Sequence, residues 1–228
     1  MRLLGAWLVH LYTASSAVFG VWAVVAIFSQ ELRLALYLML LALAIDSTDG
    51  ALARVVDVRR RIPWIDGRRL DDICDFFNYV LVPACFLVAA DLLPHPAWVA
   101  VPVLASCYGF SQSDAKTPDH FFLGFPSYWN VVALYLYLLE VRPTVGLAIV
   151  LVLSFGVFVP LRYIYPSRTR FLRPLSLGVL GAWLLAFSWV GVRPDPDPLV
   201  LRWTLFGPAY YLGLSALLNV YRPAEATS

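Results

Sequence analysis

The stretch DSTDGALARVV, residues 46–56, directly follows LALYLMLLALAI, residues 34–45, which holds apolar side chains and one tyrosine. No turn signal separates the two stretches, so Asp46 and Asp49 are predicted to lie on the same helix as the apolar run. A carboxylate in such surroundings is costly to desolvate unless it is paired. The two aspartates therefore indicate a site at a membrane surface rather than an ordinary helix end.

The composition is that of an integral membrane protein. Of the 228 residues, 61% are hydrophobic and 14% are charged, and the mean hydropathy is +0.73. Soluble domains are nearer about a quarter charged. No linker or low-complexity run interrupts the sequence, so we expect a single integral-membrane domain over residues 1–228. The basic residues lie in short loops between apolar runs, which argues against nucleic-acid binding.

Apolar runs approaching the roughly 20 residues of a bilayer crossing predict an all-α polytopic protein with about eight transmembrane helices. The predicted spans are residues 8–28, 33–53, 70–93, 97–112, 128–141, 144–163, 174–192 and 199–221. With the N-terminus placed inside, most of the 17 lysines and arginines fall in inside segments. The exceptions are Arg33, Arg142, Arg193 and Arg202. The positive-inside rule therefore predicts cytoplasmic N- and C-termini and a cytoplasmic location for the Asp46 region.

Two predicted helices each carry a face of small and acidic residues. On the first helix, the spacing i, i+3, i+4 and i+7 aligns Asp46, Asp49, Gly50 and Ala53. On the next helix, the spacing i, i+4 and i+8 aligns Gly67, Asp71 and Asp75. Because Pro63 interrupts the segment between them, the two helices can return antiparallel to each other. Four carboxylates are then expected to converge near the inner membrane surface.

Four carboxylates in a poorly solvated site repel one another unless cations lie among them. Two divalent ions would balance the charge, and oxygen ligands suit Mg²⁺ or Mn²⁺ rather than Zn²⁺. A pair of such ions is a known arrangement for phosphoryl transfer. Gly50 and Gly67 allow a substrate to approach closely. Arg54, one turn after Gly50, has a planar guanidinium suited to a phosphate.

Two other interpretations of the acidic residues remain open at this point. Acidic residues near helix ends are often only solvated or locally bonded, which accounts for Asp57, Asp66 and Asp72. Acidic residues inside membrane spans also form ion paths, although transporters usually carry them near the bilayer midplane on broken helices. A non-enzymatic transporter is therefore a less favoured alternative.

The motif reads D-x2-D-G-x2-A-R-x12-G-x3-D-x3-D, and it resembles the signature of the CDP-alcohol phosphotransferase family. The spacer of 12 residues resembles the bacterial phosphatidylcholine synthase branch, whereas most of the family has about eight or nine. Two further stretches resemble that branch: DAKTPDHFFLGFPSYWN, residues 114–130, and PLRYIYPSRT, residues 160–169. The resemblance implies a six-helix core plus two C-terminal helices, a bacterial inner-membrane location and a homodimer.

The resemblance also implies a role for each aspartate of the motif. Asp46, Asp49 and Asp71 would ligate two Mg²⁺ or Mn²⁺ ions, and Asp75 would act as general base and as a further metal contact. The implied reaction transfers the phosphatidyl group from CDP-diacylglycerol to choline and releases CMP. Direct transfer is expected, because no Ser, Cys or His nucleophile pairs with a base in the motif. Transfer to serine, inositol or glycerol phosphate is the alternative.

The candidate ligands of the nucleotide and its diphosphate are Thr13, Gly50, Ala53, Arg54, Gly67, Lys116, Arg162 and Arg168. The family often carries N-x2-T in its first helix, and the matching stretch here is HLYT, residues 10–13. Thr13 therefore carries over, whereas His10 replaces the asparagine. The basic residues beyond the motif have two interpretations, as phosphate ligands or as ordinary positive-inside residues.

Recognition of choline needs aromatic faces and nearby carboxylates, because a quaternary ammonium has no hydrogen to donate. The candidates near the inner surface are Tyr108, Phe121, Tyr128 and Trp129. An interfacial aromatic belt is the simpler account of any single aromatic residue, and it would explain most of the 8 Trp and 12 Tyr.

Overall fold

The structure, a computed structural model, describes residues 2–113, 115–169, 171–193 and 196–221. Asp114, which begins one of the two branch-like stretches, lies outside the described residues, and so do residues 222–228 at the C-terminus. The described chain is mostly helical and divides into two compact units. The first unit is Met1–Val99 with Trp129–Tyr137, and the second is Ala100–Tyr128 with Leu138–Ser228.

The first unit is built around its N-terminal helix. Its elements are α1 (Arg2–Phe28), α2 (Leu32–Val56), α3 (Val58–Arg61), α4 (Gly67–Phe76), a π-helical segment (Phe77–Leu81), α5 (Val82–Ala89), a 3-10 turn (Pro96–Val99) and all but the last residue of α7 (Trp129–Leu138). Helix α1 packs along α2 and also contacts α4, the π-helical segment and α5. The elements that carry the motif are therefore assembled on one helix.

The predicted break between the two motif helices is present. Helix α2 ends at Val56. The next residue, Asp57, has a left-handed backbone with φ 55°, a conformation that aspartate tolerates better than most residues. Pro63 lies in the non-helical turn that follows α3. Helix α4 begins after Asp66, whose carboxylate accepts hydrogen bonds from the N–H groups of Arg68 (3.0 Å) and Arg69 (3.2 Å). Asp57 and Asp66 thus have the local roles expected for them.

A small apolar cluster fixes the connection between α2 and α4. Val58 and Ile62 are buried against Ala6 and Val9 of α1, and Ala53, Val56 and Ile65 pack around them. Ile62 is fully buried, so the turn containing Pro63 is held against the first helix. This packing sets where α4 begins relative to the end of α2, and with it the separation of the motif aspartates.

The second unit contains a short sheet that the all-α prediction did not include. Its elements are α6 (Ala100–Ser111), β1 (Phe121–Leu123), α8 (Pro143–Phe158), β2 (Arg162–Ile164), α9 (Arg173–Gly191), α10 (Pro198–Trp203) and α11 (Phe206–Tyr221). The two strands are antiparallel, with Phe121 opposite Ile164 and Leu123 opposite Arg162. Asn219 of α11 accepts a hydrogen bond from the Arg162 N–H (2.9 Å) and donates one to its carbonyl (2.7 Å).

Among the described residues, four helical stretches are long and apolar enough to cross a membrane. They are Leu3–Phe28, Leu32–Val56, Gly67–Ala89 and Arg173–Gly191. These agree with the first, second, third and seventh predicted spans. Three shorter apolar helices, Pro96–Ser111, Trp129–Leu138 and Pro143–Phe158, lie where the fourth, fifth and sixth were predicted. The last predicted span is divided into α10 and α11.

Candidate active site

The four motif aspartates, together with Asp72, form two overlapping groups of carboxylates. Asp46 and Asp49 of α2 and Asp71 of α4 each offer an oxygen, and these oxygens lie within 4.8 Å of one another. A second group consists of Asp71, Asp72 and Asp75, whose carboxylate oxygens also lie within 4.8 Å of one another. Asp71 belongs to both groups, so the two helices share a continuous row of carboxylates.

Helical spacing explains why each helix presents two of these aspartates together. Asp46 and Asp49 are separated by three residues on α2, and Asp71 and Asp75 by four on α4, so each pair lies on one helix face. The cap at Asp66 fixes the first turn of α4, and Asp71 comes directly after that turn. Of the four carboxylates predicted to converge, the structure brings three together from both helices, those of Asp46, Asp49 and Asp71. Asp75 lies in the second group, with residues of α4 only.

The first group lies in poorly solvated surroundings. Asp49 is 5% exposed, and Asp46 and Asp71 are half-buried. Three carboxylate oxygens within 4.8 Å repel one another strongly where water is scarce. Arg54, one turn after Gly50, interacts electrostatically with Asp49 and offsets part of this repulsion. Carboxylate oxygens alone are the ligands that Mg²⁺ and Mn²⁺ accept, so the donor set fits hard divalent cations.

Two hydroxyl groups contact the carboxylates of α2. The Thr13 side chain of α1 hydrogen-bonds Asp49, and both residues are buried. The Tyr79 hydroxyl of the π-helical segment donates a hydrogen bond to Asp46 Oδ2. Each carboxylate of α2 is therefore approached by a hydroxyl from a different neighbouring element.

Two residues of this site were not predicted from the sequence as functional. Tyr79 continues the spacing of four that relates Asp71 to Asp75. Its contact with Asp46 also depends on the π-helical segment, which no feature of the sequence signals. Asp72 was interpreted as a solvated or locally bonded residue. It does make a local ion pair with Arg68 (3.9 Å), but its carboxylate also belongs to the second group.

The small residues of the motif lie on accessible faces. Gly50 is exposed and Ala53 is half-buried. A Cβ added at Gly50 would lie 3.4 Å from the Arg54 guanidinium. A Cβ added at Gly67 would lie 3.3 Å from the His10 ring. A side chain at either glycine would therefore contact a neighbouring side chain, that of Arg54 on the same helix or that of His10 on α1.

The short sheet of the second unit joins the two branch-like stretches, residues 114–130 and 160–169. Lys116 forms an isolated bridge with Phe122 next to β1. On β2, the Arg162 guanidinium pairs with Asp119 (3.1 Å) and lies over the Phe121 ring, 5.9 Å from its centroid. Asp119, Phe121 and Arg162 line a cavity of about 340 Å³, together with Pro118, His120, Thr169, Phe171 and Leu218. Arg168 lies over the Tyr165 ring at 5.9 Å.

The four candidate choline ligands occupy different surroundings. Tyr108 is half exposed and stacks on Phe158, with ring centroids 4.7 Å apart. Phe121 and Tyr128 belong to one aromatic and aliphatic cluster around Tyr211. Trp129 begins α7 in the first unit and is 1% exposed. Within the second unit, the structure therefore brings Phe121 and Tyr128 into one cluster and pairs Tyr108 with a different aromatic residue.

The sequence model of the CDP-alcohol phosphatidyltransferase family matches residues 7–160, which is more than half of the chain. This chain belongs to that family. The match covers most of α1, both motif helices and the row of carboxylates. The resemblance seen in the motif is thus confirmed by a match that extends well beyond it.

Several proteins that are similar to this chain carry the name phosphatidylcholine synthase. The protein from Legionella pneumophila is 43% identical over 172 residues, which cover 73% of this chain and 67% of the relative. The protein from Pseudomonas aeruginosa is 36% identical over 213 residues, covering 92% and 90%. The protein from Borreliella burgdorferi is 35% identical over 182 residues, covering 78% of both.

The family match and the match to the P. aeruginosa relative cover different lengths of this CDP-alcohol phosphatidyltransferase. The family match includes Thr13 and the four motif aspartates, but it ends before Arg162 and Arg168. The similarity to the P. aeruginosa relative covers almost the whole chain. The cavity beside β2 therefore lies partly outside the region that defines the family.

Proposed function

We propose that this protein is a phosphatidylcholine synthase, which transfers the phosphatidyl group from CDP-diacylglycerol to choline and releases CMP. The observation that carries this proposal is the similarity to relatives of that name, which covers 73% of the chain for the L. pneumophila protein and 92% for the P. aeruginosa protein. In the transfer, the choline oxygen forms a bond to the phosphatidyl phosphorus, and the bond from that phosphorus to the CMP oxygen breaks. The proton of the choline hydroxyl passes to the enzyme.

The row of carboxylates would hold the metal ions of this reaction. Asp46, Asp49 and Asp71 would ligate one divalent ion, and Asp71 with Asp75 would ligate a second, for which Asp72 offers a further oxygen. When bound, Mg²⁺ or Mn²⁺ ions stabilise charge on the diphosphate and on the departing CMP. Two observations support this arrangement. In each group the carboxylate oxygens lie within 4.8 Å of one another, and Asp49 is buried.

Asp75 is the residue we assign as general base. It lies one turn beyond Asp71 on α4, farther from the start of that helix and from the arginine-rich α3 that precedes it. A choline hydroxyl beside Asp75 could attack the phosphorus from the side opposite the leaving CMP. A positioned carboxylate that accepts this proton contributes roughly 10²–10⁴-fold to the rate.

The nucleotide would lie on the accessible motif face of α2 and α4. Gly50, Ala53 and Gly67 leave room for its close approach, and Thr13 would lie near it through its contact with Asp49. Arg54 is exposed and could bind a phosphate with its planar fork. We assign Lys116, Arg162 and Arg168 to the diphosphate as well, on the resemblance of their stretches to the branch.

For choline we propose recognition by aromatic faces, with Tyr108, Phe121, Tyr128 and Trp129 as the candidate ligands. Among them, Phe121 already receives the guanidinium of Arg162 over its ring. A quaternary ammonium would be attracted by the same ring quadrupole, but at Phe121 it would have to displace the Arg162 guanidinium or use the opposite face of the ring.

We further propose that the chain crosses the bacterial inner membrane eight times as one domain, with both termini and the active site on the cytoplasmic side. The distribution of basic residues supports this orientation, because α3 and the start of α4 carry five arginines, Arg59, Arg60, Arg61, Arg68 and Arg69. A homodimer is proposed on the resemblance to the family alone.

The acceptor alcohol is tested by CMP release from CDP-diacylglycerol with Mn²⁺ and one alcohol at a time. The panel is choline, ethanolamine, serine, inositol and glycerol 3-phosphate. We expect choline to give at least about tenfold more CMP than any other alcohol, because aromatic faces favour the quaternary cation. Ethanolamine is the matched control, since it differs from choline only by its three methyl groups.

The same panel separates the alternatives. Faster CMP release with serine, inositol or glycerol 3-phosphate would assign the protein to another synthase of the family and contradict the choline proposal. An absence of CMP release with every alcohol would instead favour a transporter or lipid-binding protein.

A further inference from the structure

A buried tyrosine links the π-helical segment to the first carboxylate group. Tyr79 is 5% exposed, and its hydroxyl donates a hydrogen bond to Asp46 Oδ2 across 33 residues of sequence. The motif does not include Tyr79. Since a carboxylate has two oxygens, a donor on one of them fixes the plane of the group and leaves the other for a cation.

The π-helical segment explains how Tyr79 reaches Asp46. Asp71, Asp75 and Tyr79 are spaced by four residues, and each such step in an α-helix rotates about 40° beyond one full turn. Two steps would carry Tyr79 well away from the face that holds Asp71. The wider turn, closed by the Val82 N–H bonded to the Phe77 carbonyl five residues earlier, reduces this drift. The segment begins two residues after Asp75, so it redirects Tyr79 without disturbing the aspartates.

Helix α1 packs closely against the π-helical segment. A Cβ added at Gly20 would lie 2.3 Å from Asn78 Oδ1 and 2.7 Å from the Phe77 ring, so only glycine allows this close approach. The Asn78 side chain also donates a hydrogen bond to Ser16 Oγ (3.3 Å). The two residues before Tyr79 are thus held against α1, which fixes the backbone from which the tyrosine extends.

We propose that Tyr79 is a positioning residue that holds the Asp46 carboxylate in the orientation required to bind a divalent cation. This inference rests on the proposed metal site. Hydrogen bonds to ligating carboxylates set the orientation of the ligand, and the loss of such a partner typically costs 10–100-fold in metal affinity or activity. The tyrosine acts through Asp46 and does not itself contact the substrate.

The test compares Tyr79→Phe with Tyr12→Phe. Tyr12 of α1 makes a similar hydroxyl hydrogen bond to α2, at Thr48 Oγ1 (2.8 Å), but it contacts no carboxylate of the motif. Mn²⁺ binding to the substrate-free protein in detergent is measured by electron paramagnetic resonance. We expect the Kd for Mn²⁺ to rise about 10–100-fold in Tyr79→Phe and to change less than about threefold in Tyr12→Phe. CMP release by Tyr79→Phe should recover at saturating Mn²⁺.

Each outcome of this test bears on the proposal. An unchanged Mn²⁺ affinity in Tyr79→Phe overturns the positioning role while leaving the metal site intact. If the parent protein itself binds no Mn²⁺, the proposed metal site fails first and the inference fails with it. A lower unfolding temperature of the metal-free variant, with activity lost at every Mn²⁺ concentration, marks Tyr79 as a packing residue and also overturns the proposal.

Discussion

Replacing Asp75 with asparagine is expected to lower turnover with choline at least about a hundredfold, the low end of the loss when a general base is removed. Asparagine keeps the shape of the side chain and one oxygen that can contact a metal, but it cannot accept the proton. The variant should therefore bind Mn²⁺ and CDP-diacylglycerol within roughly tenfold of the parent, which corresponds to about 1.4 kcal/mol.

The measurement for Asp75→Asn is CMP release alongside the affinities for Mn²⁺ and for CDP-diacylglycerol. Asp91→Asn is the matched control, because Asp91 lies in an exposed loop of the same unit. Its left-handed backbone, with φ 50°, is one that asparagine also adopts. Near-parental turnover of Asp75→Asn would show that the proton goes to another group.

Replacing Asp71 with asparagine is expected to weaken metal binding and turnover together. Asp71 is the residue that belongs to both carboxylate groups, so its loss would disturb both proposed ions. We expect the Mn²⁺ affinity to fall by more than about a hundredfold. This exceeds the 10–100-fold loss that is typical when a residue hydrogen-bonded to a metal ligand is removed, because Asp71 would itself be a ligand. Binding of CDP-diacylglycerol should weaken as well, because the ions would neutralise its diphosphate.

The comparison of Asp71→Asn with Asp75→Asn separates a metal ligand from a base. The same titrations with Mn²⁺ and CDP-diacylglycerol are made on both variants, with Asp91→Asn again as the control. Equal losses of binding in the two variants would contradict the division of roles. Mn²⁺ binding by Asp71→Asn at parental affinity would contradict the sharing of Asp71 between two ions.

Local rules of helix geometry were sufficient to predict the motif faces. The spacing of Asp46 and Asp49 on one helix, and of Asp71 and Asp75 on the next, depends only on the helical period. The break at Pro63 depends on the chemistry of a single residue. Asp71 lies close to the aspartates of α2 because the connection between α2 and α4 is short and packs against α1.

Features that depend on distant partners were missed. Strands β1 and β2 have three residues each and pair across some forty residues of sequence, so neither leaves a recognisable alternation. Asp72 was assigned only a local role, although the spacing i, i+3 places it beside Asp75 on α4, as it places Asp46 beside Asp49 on α2. The contact from Tyr79 to Asp46 depends on a π-helical turn, which the apolar run after Asp75 does not signal.

The most direct test of the central claim is anomalous X-ray scattering from crystals of the protein soaked in Mn²⁺. We expect two peaks about 3.5–4 Å apart, ligated by Asp46, Asp49, Asp71 and Asp75. A single peak, or manganese bound away from these carboxylates, would contradict the two-metal site on which the proposed transfer depends.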